Sequence, residues 1–187
     1  MKSPNRHDIA AVLLLLPWIT LGYPQGPPPT LKVVYLSDLT PVGKPINGYG
    51  PYEKDKSNGE DAAGDGQPLA MGRVPYAKVL GVHAVSDLTF ALNKQYLSFS
   101  AAVGIDDELL TNGCAPTFPG SVVFQVFVDG EKMYDSGTVT VQSSALDVKV
   151  DVTGKDTLRL LVGGAGDDLV CDHADWADAK LTPTTAQ

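Results

Sequence analysis

Leu146, Val148, Val150 and Val152 alternate with Asp147, Lys149 and Asp151, and this strict period of two limits the fold more than any other feature. Successive side chains of a β-strand point to opposite faces, so such a run buries one face and wets the other. Leu158, Leu160 and Val162 repeat the pattern. Val122, Phe124, Val126 and Val128 share one face of another run, while Gln125 breaks its other face. Asp129-Gly130 then supplies a tight hairpin turn into Lys132-Met133-Tyr134. After the N-terminal apolar stretch, no segment sustains a helical period. With 19 Gly and 14 Pro among 187 residues, turns should be many and strands short. Strands are predicted at 31–36, 77–82, 87–91, 96–103, 121–128, 131–138, 146–151 and 157–162, with a last one at 176–181. Strands at short, turn-separated intervals, without an internal repeat, predict one all-β domain, an antiparallel β-sandwich spanning 31–187.

The charge balance excludes one class of partner. Fourteen Lys and Arg against 22 Asp and Glu give −8, and no basic cluster is present to displace counterions from a phosphate backbone, so nucleic acid is not expected to bind. Lys2 and Arg6 precede an apolar run over 9–21. That run is too short to span a bilayer as a helix, which needs roughly 20 residues, and it fits the core of a secretory signal. Thr20-Leu21-Gly22 places small residues for cleavage after Gly22, although Asp8 and Pro17 are poor fits to the pattern. The expectation is a signal peptide over 1–22, a proline-rich linker over 23–30 and a secreted domain without stable membrane insertion; a retained anchor is the alternative.

Catalysis finds little support. No Ser lies in a G-x-S-x-G context, and neither C-x-x-C nor H-E-x-x-H spacing occurs. Asp106-Asp107-Glu108 could supply carboxylates, but adjacent acids are more often hairpin or calcium-loop residues. Cys114 and Cys171 lie in polar loops, and in an exported chain two cysteines suggest one disulfide rather than two free thiols. Three polar clusters stand out: Asn47-Gly48-Tyr49 onward to Asp55, His83 at the end of an apolar strand, and the acid-rich run over 166–178. Aromatic faces with amides and charges suit a hydroxyl-rich ligand, and dense carboxylates with Gly turns suit Ca²⁺. Each cluster has a structural alternative: Tyr49 and His83 in the core, Trp176 packed inside the sandwich, the acids merely solvated.

Four motifs, K-x-L-G-V-H-A over 78–84, G-I-D-D-E over 104–108, F-Q-V-F-V-D-G over 124–130 and D-H-A-D-W-A-D-A over 172–179, make the chain resemble the NPCBM domain, family 51 of the carbohydrate-binding modules. The resemblance extends over about 33–181. It implies a jelly-roll sandwich of the galactose-binding-domain kind, commonly with a structural calcium, accompanying secreted glycoside hydrolases and binding terminal galactose or galactose-containing glycans. The family usually has Trp where this chain has Tyr49, and the stretch 109–118 is longer than is typical there.

The function expected from this reading is a secreted, non-catalytic glycan binder. Its expected sugar contacts are Tyr49, Glu53, Lys54, His83, Asp107 and Asp172, with His83 and Lys54 donating to sugar oxygens. Asp38, Asp175 and Asp178 are expected to hold Ca²⁺, because the first and last strands of a jelly roll come close together. The alternatives are a structural or self-associating sandwich and an accessory domain of a separate glycoside hydrolase.

Overall fold

The computed structural model describes residues 31–59, 61–111, 114, 117 and 120–185. The expected signal and linker lie outside them. Twelve strands follow one another: β1 (Val34–Tyr35), β2 (Glu53–Lys54), β3 (Leu69–Met71), β4 (Val74–Tyr76), β5 (Val79–His83), β6 (Ser86–Ala91), β7 (Tyr96–Gly104), β8 (Ser121–Val128), β9 (Glu131–Thr140), β10 (Leu146–Asp151), β11 (Thr157–Gly164) and β12 (His173–Pro183). One sheet runs β10-β7-β12-β5-β2, with β1 also on β12; the other runs β6-β11-β8-β9. Every pairing is antiparallel. Among the described residues, no helix is long and apolar enough to cross a membrane.

The period-two runs face inward as expected. Val122, Phe124, Val126, Val128, Leu158, Leu160 and Val162 are buried from one sheet, and Phe99, Val103, Val148, Val150 and Trp176 from the other. Trp176 meets Phe124 edge-on with ring centroids 5.2 Å apart. Each such side chain, fully withdrawn from water, contributes about 1.5–3 kcal/mol. The β8–β9 turn has positive φ at both Asp129 and Gly130, the signature of a two-residue turn whose twist matches its strands.

Two expectations change. The first strand is only two residues long, because the chain turns at Leu36–Asp38 into a short 3-10 segment. The polar stretch after it, where no strand was predicted, contains three: β2 pairs with β5, and β3 with β4 forms a hairpin. That hairpin buries Leu69 and Met71 against Val79 and Ala177, on the outer face of the larger sheet. The stretch therefore covers part of the sheet, and the region of interest forms along its border.

Candidate functional site

Strand β12 sits between β5 and β7, and its register sets His173 opposite His83 and Asp175 opposite both Gly81 and Gly104. Residues 173, 175 and 177 point to the outer face while Trp176 points to the core. A Cβ on Gly81 would lie 2.3 Å from the Lys56 carbonyl oxygen, so only glycine lets the 55–58 segment close over this face.

Above β5, Asn47 fixes the next loop. Its Oδ1 accepts from the His83 backbone N–H at 2.8 Å, and its Nδ2 donates to the Tyr49 and Gly50 carbonyls and to Asn58 Oδ1. Gly48 N–H donates to the His83 carbonyl. These bonds leave the Tyr49 side chain 53% exposed, tilted toward the His83 ring at 5.9 Å. His83 is buried and meets His173 edge-on at 5.2 Å. Its Nδ1 lies 2.8 Å from the Ala84 carbonyl oxygen. A carbonyl can only accept, so Nδ1 carries a proton toward it.

Tyr49, His83, Leu169, Val170 and Cys171 line a shallow hollow of about 350 Å³. Beside it, His173 and Glu108 line a second, of about 180 Å³, with Ser57, Asn58, Asp65 and Gln67. The contact between His83 and His173 joins the two. Glu108 Oε1 lies 3.0 Å from His173 Nδ1, and its Oε2 accepts from Ser57 Oγ.

Of the six expected sugar residues, the structure brings Tyr49 and His83 together. The other four act on backbone near by. Glu53 is buried and accepts from Gly64 N–H, while Lys54 Nζ donates to the Leu39 carbonyl. Asp107 accepts from the Gly72 and Arg73 N–H groups that form the β3–β4 turn. Asp172, fully buried, accepts from Ser121 N–H, and burial pushes its carboxyl up to about 6. Asn58 lies outside the clusters singled out from sequence, and Asn47, His173, Leu169 and Val170 lie inside them but were given no role as ligand contacts. His173 lies within a quoted motif, but alternation across β12 could be assigned only once the strand start was known.

The expected calcium ligands do not converge. Asp38 pairs with Lys78, which also reaches Asp55, and Asp178 pairs with Lys180. Each of these carboxylates already has a lysine as its counter-charge. Asp175 is buried elsewhere, raised well above the ordinary carboxylate range first by burial and then by Asp106 and Glu108. Neither Asp175 oxygen has a hydrogen-bond partner, nor does Asp106 Oδ2. Asp106 Oδ1 accepts from Glu108 N–H, and burial leads the effects that push this carboxyl up to about 7. Buried carboxylate oxygens without partners are costly, and hard oxygen donors are what Ca²⁺ takes. The buried oxygens without partners thus include those of Asp106 and Asp175, not of Asp38 or Asp178. As they stand, no three His, Cys, Asp or Glu among the described residues form a group able to hold a metal. Cys114 and Cys171 form the expected disulfide, with Cα atoms 6.0 Å apart.

Residues 32–182 match the NPCBM/NEW2 domain family, and the chain belongs to it. It is similar to a family 51 carbohydrate-binding module from a Clostridium perfringens GH95 protein, solved in complex with methyl-galactose: 35% identity, TM-score 0.68, covering 81% of this chain and 100% of that one. A structure of the M60 catalytic domain with two CBM51 domains from Clostridium perfringens ZmpB is 36% identical, with TM-score 0.71 over 82% of this chain and 15% of that one. A protein of Renibacterium salmoninarum named "Putative endo-alpha-N-acetylgalactosaminidase" is 38% identical over 155 residues, which are 83% of this chain and 10% of that protein's length. The matches are to non-catalytic carbohydrate-binding modules, and this chain is of that class.

Gly48 gives a direct test of the hollow. A Cβ there would fall 1.9 Å from the Ala84 carbonyl oxygen. Gly48→Ala is therefore expected to push the Tyr49 loop off β5 and weaken ligand binding roughly tenfold or more, about 1.4 kcal/mol, while the circular dichroism of the sandwich is retained. Unchanged affinity would show that the loop bearing Tyr49 takes no part.

Proposed function

We propose that this protein is an exported glycan-binding module that receives a terminal hexose, galactose in the first instance, in the hollow between Tyr49 and His83. The observation that carries the reading is the pairing of an exposed phenol ring with a buried imidazole, both on backbone held by Asn47. An aromatic face suits the C–H face of a sugar, and an imidazole exchanges a hydrogen bond with a hydroxyl. The methyl-galactose complex of the similar Clostridium perfringens module supports the choice of sugar. Export is supported by the basic and apolar residues over 1–22 and by the disulfide. The module then works beside a glycoside hydrolase, holding it to glycan-bearing surfaces.

Calorimetry or NMR titration with galactose tests this. A Kd on the order of 0.1–1 mM is expected, about 4–5.5 kcal/mol, and Tyr49→Ala and His83→Ala should each weaken it by roughly three- to tenfold. A glycan array without a single ligand would overturn the reading and favour a structural or self-associating sandwich, checked by sedimentation.

A structural Ca²⁺ is part of the same proposal. Asp106 and Asp175 would hold it, and the unpartnered buried oxygens are the observation that favours it. When bound, the cation supplies counter-charge that ties the 105–110 turn to β12.

A further inference from the structure

Leu169 and Val170 are 43% and 47% exposed, and both line the hollow that contains Tyr49 and His83. Single exposed apolar residues need no explanation. Two in succession on the wall of a candidate binding hollow do, because an apolar wall offers nothing to a hydroxyl and strips it of water.

This wall is held in place. Cys171 is bonded to Cys114, Asp168 Oδ1 accepts from Val170 N–H, and the neighbouring Asp167 accepts from Ser121 Oγ. The next residue is fixed at two points: Asp172 Oδ1 accepts from Ser121 N–H, and its carbonyl accepts from Ala84 N–H. Leu169 also leans on Gly164, where a Cβ would lie 2.6 Å from its Cδ2. The loop therefore presents its two apolar side chains beside the ring of Tyr49.

We infer that Leu169 and Val170 select a sugar carrying a methyl-bearing substituent, an N-acetylhexosamine first, over the unsubstituted hexose. The inference rests on the glycan-binding reading and sharpens it. An acetamido methyl has the size and polarity to meet the wall, and the planar amide beside it suits the mixed lining of the hollow, with an imidazole and a phenol ring. A 6-deoxy sugar offers the same methyl chemistry from another ring position.

Galactose, N-acetylgalactosamine and 6-deoxy-D-galactose are to be titrated against the disulfide-intact protein. Burying one methyl corresponds to about fourfold in affinity, so N-acetylgalactosamine should bind about fourfold tighter than galactose. Saturation-transfer NMR should find the acetamide methyl among the most strongly saturated protons. In Leu169→Ser/Val170→Ser the ratio of N-acetylgalactosamine to galactose affinity should fall from about four to near unity, whatever the change in galactose affinity itself. Both residues are half exposed, and a melting curve confirms folding. A gain for 6-deoxy-D-galactose alone keeps the methyl wall and places it at C6. Galactose binding as well as or better than both other sugars overturns the inference and leaves the glycan reading standing. Failure of all three to bind overturns the glycan reading itself.

Discussion

Stripped of divalent cations, the domain is expected to be less stable at pH 8 than at pH 5 relative to its own Asp106→Asn variant, and Ca²⁺ is expected to remove that deficit. Asp106 is pushed up to about 7, chiefly by burial, and Glu108 adds repulsion. In the unfolded chain it titrates near the ordinary aspartate value, about 3.9. The folded state therefore holds the proton more tightly. The stability this gives is complete below about pH 4 and is lost as pH rises through the folded value, about 7. Asp172, raised to about 6, acts with the same sign. Asp135, lowered to about 2 mainly by Lys132, works in the opposite sense but below pH 4, outside the interval. Comparison with Asp106→Asn cancels the groups that do not interact with Asp106, leaving its own titration and its coupling to His173, Glu108 and Asp175. The variant should gain on the order of 2 kcal/mol over the parent between pH 5 and pH 8, about 4–8 °C in melting temperature. Calcium at 100 times its Kd should then add about 2.7 kcal/mol to the parent. Asp106→Asn and Asp175→Asn should lose most of that gain, and Mg²⁺ should not supply it. Identical melting with chelator and with Ca²⁺, in protein shown metal-free by elemental analysis, would leave these carboxyls neutralised by protons alone.

The period-two runs gave the architecture because each strand of the sandwich has one dry face, so burial is written directly into alternate residues. Val122–Val128 and Leu146–Val152 needed no tertiary information. The stretch from 40 to 76 did, because its order comes from contacts distant in sequence: Lys56 seated on Gly81, Met71 buried against the larger sheet, Asp107 accepting from Gly72 and Arg73. Charged residues there read equally well as sugar contacts or loop braces. Glu53, Asp107 and Asp172 accept from backbone N–H groups, because a carboxylate beside unpaired backbone donors satisfies them.

That Tyr49 and His83 stand out in the sequence has a different reason. An aromatic between two glycines and a histidine at the end of an apolar strand are both unusual at such positions, and their motifs had a family counterpart. The three aspartates expected to hold a metal are kept apart by parity and pairing. Asp175 and Asp178 are three apart in β12, but Asp178 adopts positive φ at a bulge and pairs with Lys180. A bulge of this kind changes which face a side chain takes, and sequence alternation alone does not place it.

Removing the disulfide should have the other large effect. Cys114 and Cys171 are 57 residues apart, and closing a loop of that length lowers the entropy of the unfolded chain by an amount worth roughly 4 kcal/mol in the chain-entropy model. Cys114→Ser/Cys171→Ser should therefore melt roughly 8–16 °C lower. Protein denatured without reductant should take up no alkylating reagent, and two added groups would refute the bridge. The bridge joins the segment before β8 to the loop that carries Leu169 and Val170, so its loss should also be felt in the hollow. Asp168, Asp172 and Ser121 still hold that loop by hydrogen bonds, so the serine variant should still bind galactose well below its melting temperature. What it should lose is discrimination. An apolar wall selects a methyl group only if it stays where the methyl arrives, and a loop released at Cys171 can turn Leu169 and Val170 away from Tyr49. A serine variant that melts lower yet keeps the full N-acetylgalactosamine preference would show that the hydrogen bonds alone position the wall.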